Sequence, residues 1–382
     1  MREIAVAQLS NSDLRPYRLP FLRMLRERQQ HIDLTLYVGQ ALPGFGAPTE
    51  PVQDIPARVK PVVNHFWPMG RHRVAWQSGA IGVLRSDAQV IICEEVIYSA
   101  TIWAVRLLHR RFGKRLVLLG FMTREPSNGP VGIVRRALLR MLRQSADALI
   151  AYTDSGRRAL EADGVSMEKV FVSYNTVDTK ALETISESVS NHEIHALRTE
   201  LGIEGPVVLF IGKLIPEKRV DLIIEAIKLM ADPPCLIVVG DGPERERLEA
   251  RGVGAPIVFT GAIYDEHLLA RYLALSEFVV LPGRVGLTCV HGFAAGRPCI
   301  TTGIEGIAQT PEFDYVVDGE NAIVVPRSEP ELHAEAMARL LADPELLVRL
   351  RKGALATARR LRIDAMVDGF AAAIEFAARP RV

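Results

Sequence analysis

The chain has 382 residues, of which 48% are hydrophobic, 24% charged and 6% aromatic. Those values suit about two to three globular domains with large cores and exclude long disorder, a collagen-like repeat and a coiled coil. The formal net charge of +1 hides an asymmetry: residues 1–190 carry 25 Lys and Arg against 18 Asp and Glu, and the remainder carries 21 against 27. No uncharged apolar run approaches the roughly 20 residues of a membrane-crossing helix. The opening MREIAVAQLSNSD has too short an apolar stretch for a secretory leader and no small-residue cleavage site, so a cytoplasmic protein is expected. Cys93, Cys235, Cys289 and Cys299 lie in or beside apolar stretches with no C-x-x-C pair. That pattern points to buried free thiols rather than a zinc site or a disulfide.

The first half alternates β-rich runs with helical patterns: EIAVAQL, the helical LPFLRMLRER, IDLTLYVG, AQVIICE, the helical TIWAVRLLHRRF, RLVLLGF, a basic helix, ALIAYT and KVFVSY. Such alternation argues for a parallel α/β sheet. The basic helix, VGIVRRALLRMLRQSAD, sets Arg135, Arg136, Arg140 and Arg143 among apolar residues, and residues 106–143 hold ten bases and one acid, Glu125. A basic amphipathic helix can lie on an anionic lipid surface; the competing reading is a solvated face whose apolar stripe is core. Nucleic acid is disfavoured, because no stacking aromatics are interleaved with the arginines.

Residues 191–206 are polar, contain a helical NHEIHALRTELG and end at Gly-Pro, which marks them as the linker. The second half repeats the alternation: PVVLFIG, the helix RVDLIIEAIKLMA, CLIVVG, GPERERLEARG, PIVFTG, DEHLLARYLALS, FVVLP, VHGFAAG, PCITT and AIVVP. Two successive α/β units imply two Rossmann-like domains with a cleft between them. The expected division is 1–190, with a C-terminal helix 364–382 packing back on it, linker 191–206, and 207–363.

Three strand-to-helix turns in the second half carry chemistry. In IGKLIPEKRVDLIIEAI, Gly212 ends a strand, and Lys213 and Lys218 lie on either side of a turn containing Pro216. Two ammonium groups so placed can converge on one diphosphate and stabilise a phosphate leaving group. In LPGRVGLTCVHGFAAGRPCI a glycine loop runs into a helix, so backbone amides near Gly286, Leu287 and Thr288 can face an anion. VVGDGPERERLE is the third turn. Neither a P-loop nor a G-x-G-x-x-G fingerprint is present.

These segments resemble the donor domain of the retaining, GT-B-fold glycosyltransferases of family 4. The family pattern G-R-L-x-x-E-K-G-x-D-x-L-I-E-A, then V-G-D-G-P, F-x-G and E-G-F-G-L-x-x-x-E-A-x-A-x-G-x-P-V reads here as GKLIPEKRVDLIIEA, VGDGP, FTG and GRVGLTCVHGFAAGRPC, in order, between Val207 and about Pro326. The first half resembles the family's acceptor domain more loosely, through YRLPFLRML and DALIAYTDSGRRALEADGV…KVFVSYNTVDT, segments like those of cell-surface polysaccharide enzymes. The resemblance implies two Rossmann-like domains facing each other across a cleft. It implies transfer of a hexose-type sugar from a nucleotide diphosphate sugar to a hydroxyl of a glycan or lipid-linked saccharide, with retention and without cofactor or metal. Lys213 and Lys218 would hold the donor diphosphate, with Gly212 and the Gly286–Leu287–Thr288 amides. The turns Gly240, Asp241, Gly242, Pro243 and Thr260, Gly261, Ala262, Ile263 would flank the base.

Two departures bear on activity. The family's two motif glutamates are Gly283 and His291 here; the first would touch donor-sugar hydroxyls and the second the ribose, a contact an imidazole can share. Related enzymes carry a His after the fourth strand, where this chain has Phe121. On the acceptor side the sequence offers Asp13, Tyr17, Arg18 and the acid pair Glu94–Glu95 at a strand end. Glu312 is a weaker donor-side candidate. Alternatives are a catalytically degenerate nucleotide-sugar-binding protein, or a GT-B epimerase or hydrolase. A peripheral membrane contact through Arg135–Arg143 is a possible further partner.

Overall fold

The computed structural model describes residues 3–10, 14–40, 54–69, 72–122, 129–304 and 309–380. They form two compact units, Met1–Asn175 with Ile363–Val382, and Thr176–Arg362.

In the first unit the chain runs β1 (Ile4–Ser10), α1 (Leu19–Arg28), β2 (Ile32–Val38), β3 (Arg58–Pro61), β4 (Asn64–Met69), β5 (His72–Gln77), α2 (Ala80–Arg85), β6 (Val90–Glu94), α3 (Ala100–Leu108), β7 (Arg115–Gly120), α4 (Pro130–Ser145), β8 (Ala148–Ala151), α5 (Asp154–Ala162) and β9 (Val170–Val172). Seven strands pair in parallel in the order β3-β2-β1-β6-β7-β8-β9, and β4–β5 is a separate antiparallel hairpin. Alternate strand residues feed two cores. Val6, Val90, Ile92 and Val117 face one; Ala7, Ile91, Leu116 and Leu118 face the other. Burial on both faces is why these strands read as nearly unbroken apolar runs.

The second unit runs α6 (Thr179–Ser188), α7 (Asn191–Glu200), β10 (Val207–Ile211), α8 (Val220–Leu229), β11 (Cys235–Val239), α9 (Arg245–Gly252), β12 (Ile257–Gly261), α10 (Glu266–Leu275), β13 (Phe278–Leu281), α11 (Thr288–Ala294), β14 (Cys299–Thr302), β15 (Ala322–Val325), α12 (Pro330–Ala342) and α13 (Pro344–Arg360). Its parallel sheet has the order β12-β11-β10-β13-β14-β15, which reverses direction between β10 and β13. Ligands of doubly wound sheets bind outside the strand ends at such a switch point.

The chain then returns as α14 (Ile363–Ala378) to the first unit. Its buried Met366, Val367, Phe370 and Ile374 complete one core there, and Phe370 meets Phe21 edge-on at 5.3 Å. Ser173 Oγ donates to the Met366 carbonyl at 2.8 Å.

The segment expected to link the halves is instead part of the second unit, whose boundary falls at Asn175/Thr176. Helix α7 opens with a capping box between Ser190 and Glu193. Hydrogen bonds from Ser190 and His267 pull the Glu193 carboxyl down to about 2. Leu197 and Ile203 are buried, and α6 and α7 both pack on α10. Polar outward faces made two docked helices look like a tether.

Candidate functional site

At the C-terminal edge of the second sheet the β10–β11 ladder continues past the strand ends. Gly212 N–H donates to Val239 O at 2.9 Å, Leu214 N–H to Asp241 O at 2.9 Å, and Glu244 N–H to Leu214 O at 3.1 Å. Gly240, at φ 152°, lies so close that a Cβ would overlap the Gly212 carbonyl oxygen; a Cβ on Gly242 would overlap that of Leu214. Main chain therefore packs on main chain, and only glycine fits. Asp241 Oδ1 accepts the Gly242 N–H at 2.7 Å, and Pro243 is exposed. Gly240 N–H donates to Gly261 O at 2.8 Å. Thr260 Oγ donates to its neighbours' carbonyls, leaving Ala262 exposed and Ile263 half-buried.

The loops after β10 and β13 meet at the switch point. Arg284 N–H donates to Glu217 O at 3.0 Å, and Lys218 Nζ donates to Arg284 O at 2.6 Å and Val285 O at 3.3 Å. Burial pulls the Lys218 ammonium below the ordinary lysine value. Lys213, half-buried on the same loop, has no side-chain hydrogen bond or ion pair among the described residues.

Gly283 is buried, and a Cβ there would stand 2.7 Å from the Lys218 carbonyl carbon. The main chain of Glu217 and Lys218 occupies the space a glutamate would need. Of the amides expected to face an anion, that of Gly286 already donates to Thr310 Oγ at 2.9 Å. Those of Leu287 and Thr288 have no acceptor among the described residues, and Thr288 Oγ donates to Ile211 O at 3.1 Å.

His291 Nδ1 lies 2.9 Å from Leu287 O, and burial pulls its imidazole below the ordinary 6.5. A neutral ring donating from Nδ1 leaves Nε2 as an acceptor. Glu312 is buried behind this loop, where Cys289 Sγ contacts its carbonyl at 3.8 Å.

Sequence reasoning passed over two features. Arg219 stands where the family pattern has glycine, yet it keeps the left-handed conformation, φ 52°, at the start of α8. Its guanidinium reaches Asp221 at 3.3 Å and Ser328 at 3.5 Å. Gln309 accepts the Val285 N–H at 3.2 Å and donates to Gly283 O and to Thr302 O at the end of β14, both at 3.1 Å, clamping the switch loop to that strand. A lone glutamine carries no motif.

In the first unit a cavity of about 130 Å³ opens beside the ends of β1, β6, β7 and β8, lined among others by Ser10, Arg15, Tyr17, Arg18, Glu94 and Tyr152. Arg18 donates to Asn175 Oδ1 at 2.5 Å and stacks over Tyr17 at 5.2 Å. Phe121 lies 5.6 Å from the Tyr152 ring. Glu95 departs from its expected role. Its carboxylate is buried in a two-pronged pair with Arg143, at 2.6 and 2.9 Å, while Arg143 Nη1 reaches Asp163 at 2.8 Å. Burial alone would lower the guanidinium; these carboxylates hold it above its ordinary value. Arg143 is therefore core, not part of a lipid-facing surface. Asp13 lies outside the described residues.

Two Rossmann-like units of this topology make the fold GT-B, and the sequence relatives make the chain a glycosyltransferase that uses a nucleotide-sugar donor. Residues 205–343 match the family model described as Glycosyl transferases group 1. D-inositol 3-phosphate glycosyltransferase of Jonesia denitrificans is 26% identical over 313 residues, 77% of this chain and 68% of that protein. Alpha-D-kanosaminyltransferase of Streptomyces kanamyceticus is 33% identical over 169 residues, 41% of this chain and 42% of that protein. Among solved structures, HepE of Anabaena in complex with UDP superposes with a TM-score of 0.72 at 16% identity, covering 98% of this chain and 99% of that one. Among the described residues, no helix is long and apolar enough to cross a membrane.

Proposed function

We propose that the loops at the β10/β13 switch point bind the diphosphate of a nucleotide sugar, and that a hexose-type unit passes with retention to a hydroxyl of a glycan or lipid-linked saccharide. The observation that carries this reading is the seating of Lys218: two carbonyls fix its ammonium, and a lysine has three N–H donors, leaving one for a phosphate oxygen. Lys213 supplies a second charge, and the amides of Leu287 and Thr288 supply neutral donors. Together they stabilise the leaving diphosphate as charge develops on it in a front-face displacement. We assign no metal to this task. Gly212, Gly240–Pro243 and Thr260–Ile263 would flank the nucleotide, and His291 Nε2 would accept from a ribose hydroxyl. With no side chain at Gly283, backbone groups would orient the donor sugar.

On the acceptor side, Glu94 would orient the attacking hydroxyl from the first unit's cavity beside Tyr17 and Arg18. The kinship with an inositol phosphate glycosyltransferase and with a UDP-bound structure makes UDP the first nucleotide to try and a phosphorylated polyol a fair trial acceptor. The test is a thermal-shift screen of UDP, GDP, dTDP, ADP and CDP, with Mg²⁺ and with chelator. A ligand at 100 times its dissociation constant adds about 2.7 kcal/mol to stability. A chelator-resistant shift by one nucleotide, lost in Lys218→Ala, supports the site; no shift by any refutes it. The filled space at Gly283 favours a second reading, a binding protein without turnover. Donor binding with no transfer to a broad acceptor set would select it.

A further inference from the structure

Helix α4 turns apolar side chains outward as well as inward. Among its inward residues, Leu142 joins the core beneath, and Arg143 is locked to Glu95 and Asp163. On the outside, Val131 is 81% exposed, Ile133 60%, Val134 59% and Met141 39%. At 3.6 residues per turn, Ile133, Ala137 and Met141 form one row with Val134 beside it. Exposed Arg136 and Arg140 run along one flank of that row. A surface helix normally shows solvent its polar face, so an outward apolar row is a contact surface. On the same side of the sheet, α3 ends with exposed Leu107 and is followed by exposed Arg110, Arg111 and Phe112.

We propose that this face docks on an anionic lipid bilayer. The occupant is chosen by charge: the exposed bases on this side are Arg110, Arg111, Arg136 and Arg140, and residues 129–146 contain no acid. An apolar row edged by guanidinium groups matches acyl chains beneath a layer of phosphates. The buried pairing of Arg143 with Glu95, just after β6, and with Asp163, just after α5, fixes the helix rotation that keeps the row outside. The inference goes beyond the donor site and does not depend on it.

The test uses the full chain with vesicles of phosphatidylcholine alone and of phosphatidylcholine mixed with phosphatidylglycerol, read by co-sedimentation. Binding to the anionic vesicles alone, weakening with salt, is expected. Ile133→Ser with Val134→Ser, and separately Arg136→Gln with Arg140→Gln, should each weaken it by about 10-fold or more. Both variants should keep the wild-type nucleotide shift and unfold within a few degrees of wild type, since the side chains are exposed and Arg140 gives up only a solvent-exposed hydrogen bond to the Asp163 carbonyl. Equal binding to both vesicle types, no binding, or variants that bind like wild type would overturn the proposal. So would a concentration-dependent dimer abolished by the two serines, which would assign the face to a second copy of the chain.

Discussion

In the second unit the C-terminal edge of the sheet is made where main chain meets main chain; in the first it is lined by side chains. Gly240, Gly242 and Gly283 touch carbonyl or Cα atoms of neighbouring loops and admit nothing larger. Around the first unit's cavity Arg18 leans on Tyr17 and Asn175, and Ser10 Oγ reaches Glu94 at 3.5 Å. The first kind of surface suits a ligand common to many enzymes, the diphosphate, because backbone donors recognise it whatever the rest of the molecule. The second can change its ligand by changing side chains without altering the sheet.

The sharpest attempt to break this contrast is to restore the family glutamate. Gly283→Glu should destabilise the protein by about 3 kcal/mol or more, read by urea unfolding, because the new Cβ collides with backbone that cannot yield. A stable, more active variant would show that the loop opens easily. Lys218→Ala should lower turnover by about 10²–10³-fold, the usual loss of a preorganised charge donor, with a near-native circular dichroism spectrum. On the other edge, Glu94→Gln should lower turnover by about 10²-fold while the nucleotide-induced thermal shift stays as in wild type. A lost shift would place Glu94 in the donor's service.

Acid sharpens the comparison differently. Burial lowers the pKa of His109 in the first unit and of His291 and His333 in the second. The folded state then binds fewer protons than the unfolded state, so the stability tied to these rings is present above their ordinary 6.5 and lost as pH falls below it. Hydrogen exchange between pH 7 and 5 should show the second unit loosening first. The smallest effect belongs to Arg219→Gly. Relief of the left-handed strain and the added chain entropy nearly cancel, so the unfolding midpoint should move by no more than about 1 kcal/mol.

The same contrast explains what could be read from the amino acids alone. The two α/β units were legible in their alternating apolar runs, and the close backbone approach at Gly240 and Gly242 in the glycines themselves. The meaning of Gly283 was not: read as a missing hydroxyl contact, it is a packing requirement. Arg219 hides a glycine-like conformation behind an ordinary side chain. Arg140 and Arg143 look equivalent on one helix, yet only Arg143 is buried, because its partners Glu95 and Asp163 are brought to it by β6 and α5. Polar faces and a Gly-Pro made α7 resemble a tether although Leu197 is buried. Backbone constraints are local in sequence; long-range partners are not.

The return of α14 has a consequence during synthesis. The first unit's core lacks Met366, Val367, Phe370 and Ile374 until all of residues 176–362 have been translated. At the usual rates of chain elongation that is a wait of roughly 10–40 s. Through that interval the apolar groove over α1 and β7–β9 stands open, while the second unit emerges and can fold as an uninterrupted stretch. The earlier-made half is thus the one finished last, and the one for which a chaperone would matter most.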